Sequence, residues 1–444
     1  MLTLHSRITM HLLPAVVGVA AVMAAPAFAQ QALEEFLAGA RRTNSDLQAA
    51  AATIAQQEGE SLVALGRALP SLTAKGVYTR NEFEVRLDPS SFLGSAAPVG
   101  GPAQSFVIQP LNQLDAMVQM DAPLIDLAVW RRLAAQRAAE RAAHRSAEAT
   151  MTDVQMQVAR NYYQLVGSRS LWLSAERTLE AAQTNLGLTR RKRDGGVATD
   201  LDVNRAQAEV ERAHLSISDA ELTAALASRA LETLTGVPPT AAASSESDDL
   251  HAELPLTEWD SEVSEIPSVA AATERRRASE ATATAARFEL LPSLSAGAQG
   301  RLTNATGFVG HQAIYVLTLM LNWRIDVTSF GVIRSGEAAS RLARVREGST
   351  RQAVLDQIHE SWSRINNGIA KSRAARAEAL ASTAAVERAR ERYREGASTH
   401  FELVQAERDA YSAEVSRIQA DADVAYARVA LRLNAGRPVA KEIH

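Results

Sequence analysis

The chain has 444 residues, with 47 basic against 51 acidic side chains and a net charge of −4, so nucleic acid is not its evident partner. It contains no cysteine, which leaves packing or assembly, rather than disulfides, to hold it together. Alanine and charged residues dominate and aromatics make up 5%, a mixture typical of long helices and coiled coils rather than an all-β pore.

The first element, residues 1–29, reads as a targeting signal. Arg7 is its only charge, an apolar run extends from Leu12 to Ala25, and Ala27-Phe28-Ala29 gives the small-x-small pattern of a cleavage site. The apolar run is short for a membrane span, so cleavage before Gln30 is expected. No other stretch approaches about 18 uninterrupted apolar residues. A membrane-embedded part would therefore have to be a β-barrel, because only closed sheets satisfy their backbone without helices in lipid.

From Gln31 a helix is expected to run to Leu69 and stop before Pro70. Residues 71–123 then read as a β-hairpin. In its second arm Ala116, Val118, Met120 and Ala122 alternate with Asp115, Met117, Gln119 and Asp121, as in a strand with one wet face. Between the arms, Asp88 to Gln104 is rich in Pro, Gly, Ser and Ala, which is loop chemistry. A very long helix follows from Leu127 to Arg190, roughly 90 Å at about 1.5 Å per residue. Val158, Leu165, Trp172, Leu179 and Leu186 recur every seven residues along it. After Gly195-Gly196 the returning helix carries Val203, Val210, Ile217 and Leu231 on one sevenfold series and Ala206, Ala213, Ala220 and Ala227 on another. A sustained seven-residue period predicts coiled-coil packing, and the alanines allow close approach of helix axes.

Gly236-Val237-Pro238-Pro239 stops this helix. Residues 237–265 form an acidic linker, with eight Asp or Glu and no Lys or Arg between Ser245 and Glu265, expected to be a solvated connector. Then the pattern repeats over 266–436: a helix from Pro267, a second β-hairpin over 294–323, and a long helical hairpin turning near Gly396. Residues 437–444 form a tail. The repeat holds at a shift of 200: Ile125-Asp126 against Ile325-Asp326, Gly196-Val197-Ala198-Thr199 against Gly396-Ala397-Ser398-Thr399, and Leu231 and Gly236 against Leu431 and Gly436. Leu69-Pro70-Ser71-Leu72 instead recurs at a shift of 222, as Leu291-Pro292-Ser293-Leu294, so the first hairpin carries extra residues. The apolar phase of the strands differs between the copies at shift 200, which leaves the lipid-facing side open.

Patterns for chemistry fail. His359-Glu360 begins a zinc-protease motif, but Ser363 stands where its second histidine belongs. The nine histidines are scattered without ligand spacing, and no Gly-x-Ser-x-Gly elbow or P-loop occurs. No enzyme activity, cofactor or metal is expected. Tyr162-Tyr163, Trp172 and Trp362 read as coiled-coil packing, and the basic run Arg190 to Arg193 as a solvated, dipole-complementing helix end.

The order of these elements resembles the TolC-like outer-membrane factor family across essentially the whole mature chain. The features carrying the resemblance are the two Leu-Pro-Ser-Leu entries, Pro123-Leu124-Ile125-Asp126, the Gly196 and Gly396 turns and the Leu-x-x-x-x-Gly endings. The implied fold is mainly α: long antiparallel coiled-coil helices forming an α-barrel, with a small transmembrane β-barrel built from four strands per chain in a homotrimer. The implied role is the outer-membrane exit duct of a tripartite efflux or type I secretion system. Its partners would be outer-membrane lipid, a periplasmic adaptor protein and an inner-membrane pump of the RND or ABC type. By the same resemblance, Gly196, Thr199, Gly396 and Thr399 would form adaptor-docking turns. Asp202 and Glu402 would be the constriction carboxylates, with Gln405 where the family carries a further acid and Arg205 and Arg408 as candidate latches. For Asp202 and Glu402 the residues alone fit equally simple roles at helix N-termini. The competing reading is a periplasmic coiled-coil scaffold or adaptor with no barrel, which would not need the strand hairpins.

Overall fold

The computed structural model describes residues 32–87, 106–240, 248–307 and 310–439. The expected signal segment and the Pro/Gly-rich loop Asp88 to Gln104 lie outside the described residues.

Where one helix was expected over 31–69, two form: α1 (Leu33–Thr43) and α2 (Ser45–Gly66). Asn44 makes the break. Its backbone is extended (φ −66°, ψ 130°), and its side chain accepts hydrogen bonds from the Asp46 and Leu47 amides while donating to the Leu234 carbonyl. Asparagine competes with helical backbone for these bonds, a local effect that apolar periodicity does not register.

The strands follow as β1 (Ser71–Arg80), β2 (Val85–Leu87), β3 (Phe106–Gln109) and β4 (Asn112–Ile125). Next come α3 (Leu127–Asp194), α4 (Asp200–Thr235), a short α5 (Leu256–Trp259) and α6 (Pro267–Phe288). The chain ends with β5 (Ser293–Thr303), β6 (Ala313–Asn322), α7 (Val327–Arg394) and α8 (His400–Asn434). The four long strands make one antiparallel sheet in the order β1-β4-β5-β6, and β2 and β3 form a small separate ribbon. α3 and α7 have 68 residues each, about 100 Å at 1.5 Å per residue. No helix among the described residues is long and apolar enough to cross a membrane.

The repeated residues prove to be the structural punctuation. Asp126 and Asp326 cap the starts of α3 and α7, their carboxylates accepting from the Val129 and Ser329 amides at 3.0 and 2.8 Å. Gly196, Gly236, Gly396 and Gly436 all sit at positive φ, between 67° and 78°, where a side chain would be strained. The matched pairs Val158/Ile358, Leu165/Ile365 and Leu231/Leu431 are all almost fully buried. These residues belong to two of the core clusters. One joins Phe36, Val154, Val158, Tyr162 and Leu165 to Ala227 and Leu231, and the other joins Ile358, Ile365 and Ile369 to Val424 and Leu431. The alanine series of α4 (Ala206, Ala213, Ala220, Ala227) is its buried seam.

The acidic segment is not a solvated connector. Leu250, Trp259, Val263 and Ile266 are buried in the second cluster, and the Trp362 indole donates to the Leu254 carbonyl at 2.9 Å. Its acids clamp a buried arginine. Arg428 Nε and Nη2 reach both oxygens of Asp248 at 2.6 and 3.0 Å, Nη1 pairs with Glu253, and Nη2 also donates to the His251 carbonyl at 2.9 Å. Composition counts the charges of this segment but does not locate the cation on α8 that pairs with Asp248 and Glu253.

Candidate functional site

One face of the sheet is apolar across all four strands, and the other is polar mainly on β1, β4 and β5; the register separates them. Leu72, Met120, Ala298 and Leu317 stand abreast; so do Ala74, Val118, Gly300 and Tyr315, and then Gly76, Ala116, Leu302 and Ala313. The intervening rows hold Thr73, Gln119, Gln299 and Val316, then Lys75, Met117, Arg301 and Ile314. On the polar side Arg301 Nη2 pairs with the buried Asp115 at 2.6 Å. On the apolar side the side chains stand open among the described residues: Tyr315 is 80% exposed and Leu317 74%. The strands' phase mismatch at shift 200 has a local cause. The β4–β5 register slips between Pro123 and Ile125, whereas β6 ends at Asn322 and leaves the chain as coil. One slipped residue exchanges the faces of a strand.

The helical hairpins turn at Gly196 and Gly396. In the first, Gly195 caps the end of α3, the Val197 and Ala198 amides return to the Lys192 carbonyl, and Thr199 caps α4. Thr199 and Asp202 form a reciprocal capping box: the Thr199 hydroxyl accepts from the Asp202 amide at 3.2 Å, and the Thr199 amide donates to the Asp202 carboxylate at 3.0 Å. The Thr199 backbone and hydroxyl donors hold the Asp202 carboxyl below the usual carboxylate range. Asp202 is thus occupied at the helix start. In the second hairpin Thr399 caps α8 through the Glu402 amide at 3.3 Å. Val197, Leu201 and Phe401 stand exposed at the two tips.

Glu402, Gln405 and Asp409 share one face of α8 and line a groove against Ala381 and Ala385 of α7. Gln405 donates to Asp409 at 2.9 Å. Asp409 is an acidic neighbour that sequence comparison passed over, although it lies seven residues beyond Glu402 and so two turns along the same face. The groove does not contain Asp202.

A polar network joins the two hairpins. The Asn185 amide donates to Glu407 at 2.6 Å, and Arg390 pairs with the same carboxylate at 3.0 Å. Arg408 pairs with Glu209 of α4, which Arg212 also engages. Burial works against the Glu209 charge, but these two guanidiniums hold its carboxyl below the ordinary range. Thr189 and Tyr393 share a buried hydroxyl contact at 3.3 Å, and the Lys192 ammonium lies 3.8 Å from the Tyr393 ring centroid. Lys192 is therefore a bridge between hairpins, not part of a wholly solvated basic run. Arg408, expected as a latch for Asp202 or Glu402, pairs with Glu209 in this chain. Among the described residues no cluster of His, Asp or Glu is arranged to hold a metal.

The fold is thus mainly α: helices of 68 residues, about 100 Å long, continue a small antiparallel sheet with one apolar face. The chain belongs to the outer membrane efflux protein family, whose model matches residues 37–237 and 261–437. It is 23% identical over 406 residues to the toluene efflux pump outer membrane protein TtgC of Pseudomonas putida, covering 88% of this chain and 80% of that one. Its fold is similar to that of a membrane protein from Pseudomonas aeruginosa, with a TM-score of 0.78, 20% identity and coverage of 91% and 93% of the two chains. It is also similar to the outer membrane protein VceC from Vibrio cholerae, with a TM-score of 0.76, 15% identity and coverage of 92% and 97%.

Proposed function

We propose that three copies of this chain close their four-stranded sheets into one transmembrane barrel and their long hairpins into a periplasmic tube. The assembly acts as the passive exit duct of a tripartite efflux or secretion system. The signal segment 1–29 directs export and is removed. The tips around Gly196, Thr199, Gly396 and Thr399 meet a periplasmic adaptor, and an inner-membrane pump of the RND or ABC type supplies the energy. The chain itself performs no catalysis and takes no cofactor.

One observation carries this reading: among the described residues the sheet is apolar on one face, more polar on the other, and open at both edges. β1 and β6 each offer an unpaired ladder, and an open, apolar edge such as β6 is an aggregation template unless another strand pairs with it. Pairing β6 of one copy with β1 of the next removes every edge and turns the apolar rows toward lipid. A periplasmic scaffold has no use for such a face. Within the tube, Glu402 and Asp409, with the Gln405 amide between them, and Asp202 in its cap, are the candidates for a constriction. Threefold repetition of an acidic face focuses negative potential in a narrow passage.

The test is fractionation and conductance. A heat-modifiable trimer in outer-membrane fractions, conducting ions in planar bilayers, is the expected result; a soluble monomer would overturn it. Docking is tested separately. Gly196→Val and Gly396→Val force a β-branched residue to positive φ, and should abolish efflux while leaving membrane insertion intact. Normal efflux in both variants would refute the docking role of the turns.

A further inference from the structure

The turn into α8 concentrates unpartnered polar atoms. Among the described residues, six buried side-chain nitrogen or oxygen atoms have no hydrogen-bond partner, and three of them belong to Ser398 and His400. Such groups are uncommon in folded proteins, and each calls for a reason. Both His400 ring nitrogens are among them, and the residue is only 5% exposed.

His400 is wedged where the two hairpins meet. From α7, the Tyr393 ring lies 5.7 Å from the imidazole, centroid to centroid. Tyr393 is itself the residue that α3 grips through Thr189 and Lys192. From α4, Asp202 and Glu209 attract a proton on His400 while Arg205 repels it. From its own helix, His400 is the first residue of α8, where the positive end of the backbone dipole disfavours an imidazolium. Burial outweighs the two carboxylates and holds the imidazole below its ordinary range. Both carboxylates are already committed, Asp202 to Thr199 and Glu209 to Arg408 and Arg212.

We propose that His400 is a pH-sensitive catch between the two helical hairpins. The neutral ring fills the seam, and protonation drives it out toward water, freeing the start of α8 and parting the tips. The first hairpin has no counterpart, because Asp200 stands at the matching position and is exposed. The sign follows from linkage. The seated ring binds a proton less readily than a released one, whose value is about 6.5. The seated arrangement is therefore fully stable above that value and loses stability as pH falls below it. The ratio of released to seated tips rises by up to about tenfold per pH unit until the seated ring itself titrates.

The consequence for conductance rests on reading the tips as the end of a conduit, so the test has two independent readouts. The first is conductance of the purified assembly in planar bilayers between pH 7.5 and 5.0. Wild type should open several-fold on acidification, while His400→Phe and His400→Gln should show at most the residual response of the carboxylates. A wild-type response that either variant reproduces in full would overturn the catch. The second readout needs no channel. Because the chain has no cysteine, Ser398→Cys can be labelled alone, and its rate compared with Val197→Cys, a 76% exposed site. The ratio should rise as pH falls, and the rise should vanish when His400→Phe or His400→Gln is added. A flat ratio in the chain that retains His400 overturns the catch, even if no conducting trimer forms; the missing trimer alone counts against the conduit reading.

Discussion

Replacing Arg428 by methionine should release the segment 248–266 from the helices it wraps. The guanidinium side chain is 8% exposed, and its partners Asp248 and Glu253 are 11% and 7% exposed. Removing one partner of such a buried group leaves uncompensated charge and costs about 3–5 kcal/mol. The methionine fills most of the volume, so the loss is electrostatic rather than a cavity effect. A chain of this length need not unfold in one step, so local release is the better readout. Native-state proteolysis within 248–266 should accelerate by about 10²-fold at the lower figure, provided reclosing is fast. Trp259 gives a second signal, because its buried ring stacks with Arg437 at 4.4 Å and should become solvated. The decisive companion is Arg428→Met combined with Asp248→Leu and Glu253→Met, which removes all three charges and should recover most of the protection. The reasoning is refuted if the single variant changes cleavage by less than about tenfold, or if the triple variant is as labile as the single one.

Three further outcomes test other parts of the account. Leu317→Arg places a charge on the apolar face and, near the bilayer midplane, should cost about 2–4 kcal/mol, seen as loss of folded protein in lipid. Gln299→Arg on the polar face should insert normally, and equal damage from both substitutions would contradict the face assignment. Glu402→Ala together with Asp409→Ala should raise leak conductance and weaken block by multivalent cations; unchanged bilayer recordings would remove this face from the constriction. The capping box at Thr199 predicts acid sensitivity. Because the folded-state Asp202 carboxyl is held below its ordinary value, its stabilisation is complete above about pH 4 and is lost as pH falls through the folded value. Amide exchange at residues 200–203 should therefore rise on acidification relative to Thr199→Ala at the same pH, and parallel profiles would refute it.

The fold was legible wherever a residue acts through its own backbone. Four glycines at positive φ and two aspartates at helix starts are positional requirements, so they survive in both halves and reveal the repeat without any knowledge of contacts. The long helices were equally plain, since a seam buried every seven residues leaves its mark on composition. Asn44 was missed because one side chain ended a helix that the apolar pattern would have continued. The single apolar face of the sheet was hidden for a different reason. Strand parity does not carry over between the two halves, because the register slips between Pro123 and Ile125. Pairing each strand with its actual neighbour restores a single apolar face, because alternation is preserved within the sheet even where it is not preserved between the repeats.

The tips were the least legible region, and the reason is that the two halves diverge there. Backbone requirements keep Gly196 like Gly396 and Thr199 like Thr399, so comparison between halves suggests equivalent hairpins. The side chains beyond the caps are not equivalent. Asp202 folds back onto Thr199, whereas the side chains of Glu402, Gln405 and Asp409 line an open groove. Lys192 grips Tyr393 of the other hairpin. Asp200 is exposed where its counterpart His400 is buried. A hairpin whose polar groups are mostly satisfied locally is suited to a fixed frame. One whose first helical residue is a buried imidazole without a hydrogen bond is suited to movement. The repeat thus builds two alike arms, and the departures from it place the acidic groove and the buried imidazole on the second.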